Sequence, residues 1–243
     1  NVTVTDGDTA SIAQLNQIDA LWGTVTPQRV TDIANNLDEA ADSLFENTTI
    51  NVTVTDAATL AQLAQIDALW GTVSYTSISD SIAALVANTG GYITGAVNLT
   101  VTDSATIAQL NTVHGYTSGT VTAPQITDSA ASIAASSYVL ATTAVALSSG
   151  TAAAVDLSTI DGITTVALDA SAVTTLTGTA AQITAAYAAN TTGTITGLGN
   201  EIATASDTGT VAATVLTDLD ALTTGAVGFA SVTTLTGTAA QVA

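Results

Sequence analysis

Asn51-Val52-Thr53-Val54-Thr55-Asp56-Ala57-Ala58-Thr59-Leu60-Ala61-Gln62-Leu63-Ala64-Gln65-Ile66-Asp67-Ala68-Leu69-Trp70-Gly71-Thr72-Val73 is the stretch that decides the fold. Val52 to Thr55 alternates β-branched apolar and polar residues with period two, the pattern of a strand with one buried face. Asp56 then stands where a carboxylate accepts hydrogen bonds from the free N–H groups of a starting helix. Leu60, Leu63, Ile66 and Leu69, with Ala61, Ala64 and Ala68, put apolar residues along one side of a short helix. Gly71 is a natural stop because it tolerates positive φ. The cycle restarts at once: Thr72 to Thr76 is the next strand, Asp80 the next cap, and Ile82 to Ala87 the next helical turn.

Outward from this stretch the same phrases return. Asn1 to Asp6 is identical to Asn51 to Asp56, and Asn98 to Asp103 nearly so. Gln14 to Val25 reappears as Gln62 to Val73 with one change, Asn16 to Ala64. Interleaved, Asp6, Asp32, Asp56, Asp80, Asp103 and Asp128 recur about every two dozen positions, in the range of stacked repeats. From about Val145 the pattern changes: Asp161 to Gln182 recurs at Asp220 to Gln241, a shift of 59. Within it Leu176-Thr177-Gly178, Ile195-Thr196-Gly197, Leu216-Thr217-Asp218 and Leu235-Thr236-Gly237 stand 19, 21 and 19 apart. The expected fold is an α/β solenoid of strand–short helix coils, about 19–26 residues each, with a parallel sheet built through crossovers. Two blocks of one continuous solenoid are expected, residues 1–144 and 145–243. The second, Gly- and Thr-rich, reads as mostly β, in the manner of a β-helix, or as a continuation of the first. N-terminal helices of no more than one or two turns are the other alternative.

Composition removes several functions. The chain has 243 residues, net charge −19, one Lys or Arg (Arg29), and no Cys or Met. One cation cannot neutralise phosphates, which excludes nucleic acid and anionic membrane as partners. Without Cys there is no disulfide, thiolate metal site or thiol nucleophile. No apolar run is long enough to span a bilayer. No signal peptide is present, and Asn at position 1 reads as a processed chain or a piece of a longer one.

Few residues invite chemistry. The six aspartates would form a column along one corner, able to hold Ca²⁺ through hard oxygen ligands or simply to cap helices. His114 replaces Asp67 and Asp19 of the other repeats, a solvated helix position, and Arg29 aligns with Ser77 and Gln125. Trp22 and Trp70 occupy equivalent places and read as core or shoulder packing, with carbohydrate stacking as the alternative. The pair Asp218 and Asp220 carries no glycosidase signal. Threonine supplies 49 residues, and Thr53 with Thr55 or Thr100 with Thr102 would make a flat hydroxyl face. That face resembles the threonine ladders of ice-binding solenoids, or is covered by another protomer. Asn1, Asn47, Asn51, Asn98 and Asn190 begin N-x-Thr sequons.

Val101-Thr102-Asp103-Ser104-Ala105-Thr106-Ile107-Ala108-Gln109-Leu110 and Ile126 to Ala134 resemble repeats of large secreted bacterial surface proteins, adhesins and surface-layer proteins among them. The resemblance implies secretion, a structural or adhesive role and no catalytic residues; the family's calcium motif has no counterpart here. The expectation is therefore an extracellular, non-enzymatic rod, a subunit of a filament, sheath or surface layer. It would associate end to end with copies of itself or with further repeats of the same chain, because open sheet edges template pairing. An adhesin stalk or ice-binding module using the Thr face is the alternative.

Overall fold

The computed structural model describes residues 2–4, 10–22, 25–27, 29–38, 50–138 and 141–242. The chain opens with β1 (Val2–Val4), α1 (Ile12–Trp22), β2 (Val25–Pro27), β3 (Arg29–Asp32), α2 (Ala34–Asp38), β4 (Asn51–Val54) and α3 (Leu60–Leu69). Next come β5 (Val73–Ser74), β6 (Ser77–Asp80), α4 (Ile82–Ala87), β7 (Asn98–Val101), β8 (Ser104–Ala105), α5 (Ile107–His114) and β9 (Val121–Thr122). Then β10 (Gln125–Asp128), α6 (Ala130–Ala134), β11 (Ala144–Leu147), β12 (Gly150–Ala153), α7 (Ala154–Asp161), β13 (Leu168–Asp169) and β14 (Val173–Gly178) follow. The last elements are α8 (Ala180–Thr192), β15 (Ile195–Thr196), β16 (Ile202–Ala212), α9 (Ala213–Asp220), β17 (Val227–Thr236) and α10 (Ala239–Val242).

Strands and helices alternate, every strand pairing is parallel, and the fold is α/β with open sheets. Two compact units emerge, residues 1–103 with 108–123, and residues 104–107 with 124–243. The first holds the sheets β1-β2, β3-β4-β5 and β6-β7-β9; the second holds β8-β10-β11-β13-β15 and β12-β14-β16-β17.

Register corrects the expected step. In the first unit Ala10, Val30, Val52 and Val73 stack in one column, so each step is a little shorter than the two dozen of the sequence period. Ala58, the counterpart of Ala10 one double repeat later, starts the next column, Ala58–Ile78–Leu99–Val121. Ala58 lies just past Val52 on the same chain segment. A double repeat thus comprises two stacked steps plus a short sideways displacement, from Val52 to Ala58. The sequence period averages a shorter step with that displacement, so identical motifs do not lie atop one another.

The second unit follows the same scheme with more variable steps. Ala105 heads a column continuing through Ile126, Val145, Leu168 and Ile195. Ala152 heads another, Ala152–Leu176–Ala203–Val227, with steps of 24, 27 and 24. The expected tighter spacing of the Leu-Thr-Gly phrases is overturned here, since Leu216 falls within α9 while Leu176 and Leu235 are in strands. Nor is this part mostly β: β16 and β17 are long, but every repeat retains a helix and α8, at 13 residues, is the longest among those described. In the first unit α1 and α3 run 11 and 10 residues, while α4 has 6, so long and short helices alternate.

From α1 to α9 each helix opens with the same spacing, an apolar residue followed three positions later by Leu or Ile. Leu15, Leu37, Leu63, Leu85 and Leu110 in the first unit, and Ile133, Leu157 and Ile183 in the second, are almost fully buried. Each buried side chain contributes about 1.5–3 kcal/mol relative to leaving it in water. Facing them are the strand columns, whose Val, Ile and Leu members are for the most part equally covered. No repeat could close this interior by itself, which is why neighbouring repeats are needed for stability.

Candidate functional site

Every described aspartate of the series holds a helix start, but one repeat back from its own. Ile12 N–H donates to Asp32 Oδ2 at 2.9 Å, Ala34 N–H to Asp56 Oδ1 at 2.7 Å and Leu60 N–H to Asp80 Oδ2 at 3.0 Å. Ile82 N–H donates to Asp103 Oδ1 at 2.7 Å, and Ile107 N–H to Asp128 Oδ2 at 3.0 Å. Asp32, Asp80 and Asp128 use the other oxygen for the N–H of the next residue, at 2.9, 2.8 and 2.7 Å. Asp6 lies outside the described residues. The expectation of a cap on the following helix is thereby corrected. Ser81, Ser129 and Thr59 are the true N-caps, each accepting from the third helical N–H. The aspartates tie adjacent repeats together, each with a charge-assisted bond that also favours the positive helix end.

The expected column of carboxylates does not form at the strand-ending positions. Asp32 stands opposite Val54, Asp80 opposite Val101 and Asp128 opposite Leu147, because each stacked step is shorter than the spacing of the aspartates. Among the described residues no three Asp, Glu or His side chains come close enough to hold a metal ion. His114 closes α5, and Asp218 and Asp220 lie on α9; all three are exposed, as is Arg29 on β3. No helix among the described residues is long and apolar enough to cross a membrane.

Threonine hydroxyls do align, as Thr31–Thr53–Ser74 and Ser79–Thr100–Thr122. Each array is one column wide. Thr55 and Thr102 fall beyond the paired strands, donating their N–H groups to the Asp32 and Asp80 carbonyls at 3.0 Å.

The second unit holds a polar cluster that sequence reading missed. Glu201 is only 2% exposed; its carboxylate accepts the N–H groups of Gly199 and Asn200 at 2.9 and 3.1 Å. The Tyr187 hydroxyl is buried beside Glu201 and Thr223 without meeting a partner at hydrogen-bonding geometry. Burial first, and then the Glu201 carboxylate, raise this phenol well above its ordinary range. Thr223 in turn donates to the Glu201 carbonyl at 2.8 Å and accepts Gly225 N–H at 3.0 Å. Thr117 in the first unit repeats the device, donating to the Val97 carbonyl and accepting Gly119 N–H at 2.9 Å. Thr-x-Gly is therefore a stacking corner, and its glycine is required by close approach. A Cβ on Gly119 would overlap the Val97 carbonyl oxygen, and one on Gly225 that of Glu201.

Other perturbed groups have structural tasks. Tyr75 donates to the Tyr92 carbonyl at 2.6 Å and Tyr92 to Asp67 at 3.3 Å; burial and then neighbouring charge raise both phenols. Ser171, hydrogen-bonded to Asp169, lowers that carboxyl. Asp207, also missed, holds Ala180 N–H at 2.7 Å at the start of α8.

Some large apolar side chains are left exposed. Trp22 is 71% exposed although its counterpart Trp70 is 2% exposed. In the second unit β17 is an edge strand, and an open depression there is lined by Leu216, Val227, Phe229, Val232 and Leu235. No protein-family model matches the chain, and no curated protein or solved structure is matched by it.

Proposed function

We propose that the chain is a structural repeat protein of the cell exterior, its strand–helix repeats winding as a solenoid within each unit and its open faces joining copies end to end into a filament, sheath or surface layer. The supporting observation is the loss of burial along one structural column. Leu176 and Ala203 are wholly buried, whereas their successor Val227 is half-buried on the edge strand. Leu216 departs in the same way from the eight equivalent helix positions, all almost fully covered. The column is left open here, with an unpaired parallel edge beside it, as the first-unit columns are at Val73 and Val121 on the edge strands β5 and β9. An acidic surface keeps such a body soluble, while salt screens repulsion between copies.

The absence of Cys and Met suits an oxidising exterior, and the Tyr75 and Tyr92 hydroxyls tie repeats together. In the first unit the Thr columns, one residue wide, favour a scaffold over a two-dimensional ligand-matching lattice. Negative-stain microscopy and sedimentation across a salt series test the reading: fibres or linear oligomers are expected, and monodisperse monomers at every salt and protein concentration would overturn it.

A further inference from the structure

Two nearly identical segments occupy different surroundings, and the difference identifies a docking anchor. Gln14 to Val25 and Gln62 to Val73 differ only at Asn16 and Ala64. In α3 the three apolar residues Leu60, Leu63 and Ile66 are buried, and Trp70 at its end is covered by the preceding repeat. There α3 packs on α2, and the Trp70 indole N–H donates to the Leu37 carbonyl at 3.2 Å. In α1 the equivalent of Leu63, Leu15, is buried, but Ile12 and Ile18 are only half-covered. Leu21 is 76% and Trp22 71% exposed. Intrinsic preference cannot separate the two tryptophans, because their local sequences match. Trp70 therefore displays the environment that Trp22 lacks: an apolar wall and a free carbonyl oxygen offered by another repeat.

We propose that Trp22 and Leu21 form the anchor by which one copy docks on a second copy of this chain, at the open face formed by Leu216, Val227, Phe229, Val232 and Leu235. This rests on the end-to-end reading and names its contact. The recipient face is chosen because it is the converse defect. Val227 and Phe229 extend columns that are buried one repeat earlier, at Ala203 and Ala205, the edge strand has unpaired backbone groups, and none of the side chains lining the depression is charged. An indole brings apolar area with one donor, the chemistry that concentrates energy at the centre of interfaces. The two faces differ from each other, so the contact is heterologous and propagates into chains instead of closing a two-fold dimer.

The variant Trp70→Phe leaves Trp22 as the sole indole. With rising salt its emission should shift to the blue and become protected from acrylamide in step with assembly followed by sedimentation. Trp22→Ala and Phe229→Ser, both verified as folded by circular dichroism, should each weaken assembly at least about tenfold. Mixed together they should give a one-to-one dimer and nothing longer, since only one competent interface survives. Assembly of Trp22→Ala at wild-type strength, or a Trp22 that stays water-exposed within assembled material, would overturn the anchor while leaving end-to-end association standing. A wild-type protein that never assembles would remove both.

Discussion

Helix starts are secured differently in the two units. In the first, Asp32, Asp56, Asp80 and Asp103 each reach back to the first N–H of the preceding helix, and Ser or Thr caps add a local bond. In the second, Ser129 caps α6, and Thr179 with Asp207 secures α8, whereas α7 and α9 begin after Ala153 and Ala212 with no side-chain cap. Longer strands take over the task there. Thr174 donates to the Gly150 carbonyl at 3.1 Å, Thr177 to that of Ala152 at 3.3 Å and Thr233 to that of Gly209 at 3.2 Å. One parallel architecture is thus held by charge-assisted capping where strands are short, and by extended backbone pairing with hydroxyl support where they are long. Apolar columns are common to both, so perturbing them should have the largest effect and perturbing the caps the smallest.

The columns can be broken first. Leu85→Ala should cost about 2–5 kcal/mol, because a fully covered leucine is removed and its cavity cannot collapse. Leu216→Ala, at the half-covered end of the series, should cost well under half as much. Urea unfolding of both variants checks this, and equal costs would mean that the open face is already filled in solution. Next in size are the corners. Gly225→Ala and Gly119→Ala should each destabilise by about 1–3 kcal/mol, since the new methyl meets a carbonyl oxygen of the neighbouring repeat. Gly228→Ala, whose Cβ would meet nothing within 4 Å, is the control and should be nearly neutral.

Such contrasts mark how far the sequence can be read. The strand at Val52 to Val54 and the helices after it were legible, because alternation and helical spacing are local patterns that burial then rewards. The aspartates were legible as helix caps but not as links between repeats, for the identity of the capped helix depends on register. Register itself was hidden: two short steps plus the displacement from Val52 to Ala58 produce the same recurrence as two plain turns of the longer period. Trp22 and Trp70 show the remaining limit, since exposure is decided by what lies alongside and not by the segment. Glu201 had no repeat signal, but Thr-x-Gly at 117–119 and 223–225, and Ser/Thr-x-x-Gln at 11–14, 59–62, 179–182 and 238–241, were available as corner and capping-box signatures.

Alkaline pH probes a buried phenol of the second unit. Tyr187, in the second, is held protonated in the fold above its ordinary value of 10.0. A raised folded value means that its contribution is complete below about pH 10 and is lost as pH rises, because the unfolded chain releases the proton first. Urea midpoints of the wild type should therefore fall more steeply above pH 10 than those of Tyr187→Phe. Parallel curves would show that the phenol ionises without opening the structure around it.

The smallest effects come from exchanging caps between units. Asp80→Ala removes the acceptor for both Leu60 N–H and Ser81 N–H and should cost about 1 kcal/mol, within the range of capping losses. The reverse experiment is more discriminating. Ala212 already has the extended backbone of an N-cap, φ −73° and ψ 139°, close to that of Ser81 at −63° and 149°. Ala212→Ser therefore needs no backbone movement to place a hydroxyl oxygen toward the third helical N–H. A gain of about 0.5–1 kcal/mol in urea unfolding is expected, while Ala212→Val, with similar bulk and no acceptor, should gain nothing. Equal behaviour of the two variants would mean that α9 is anchored by β16 and β17 alone, making its independence from capping a property of those long strands and not an unfilled opportunity.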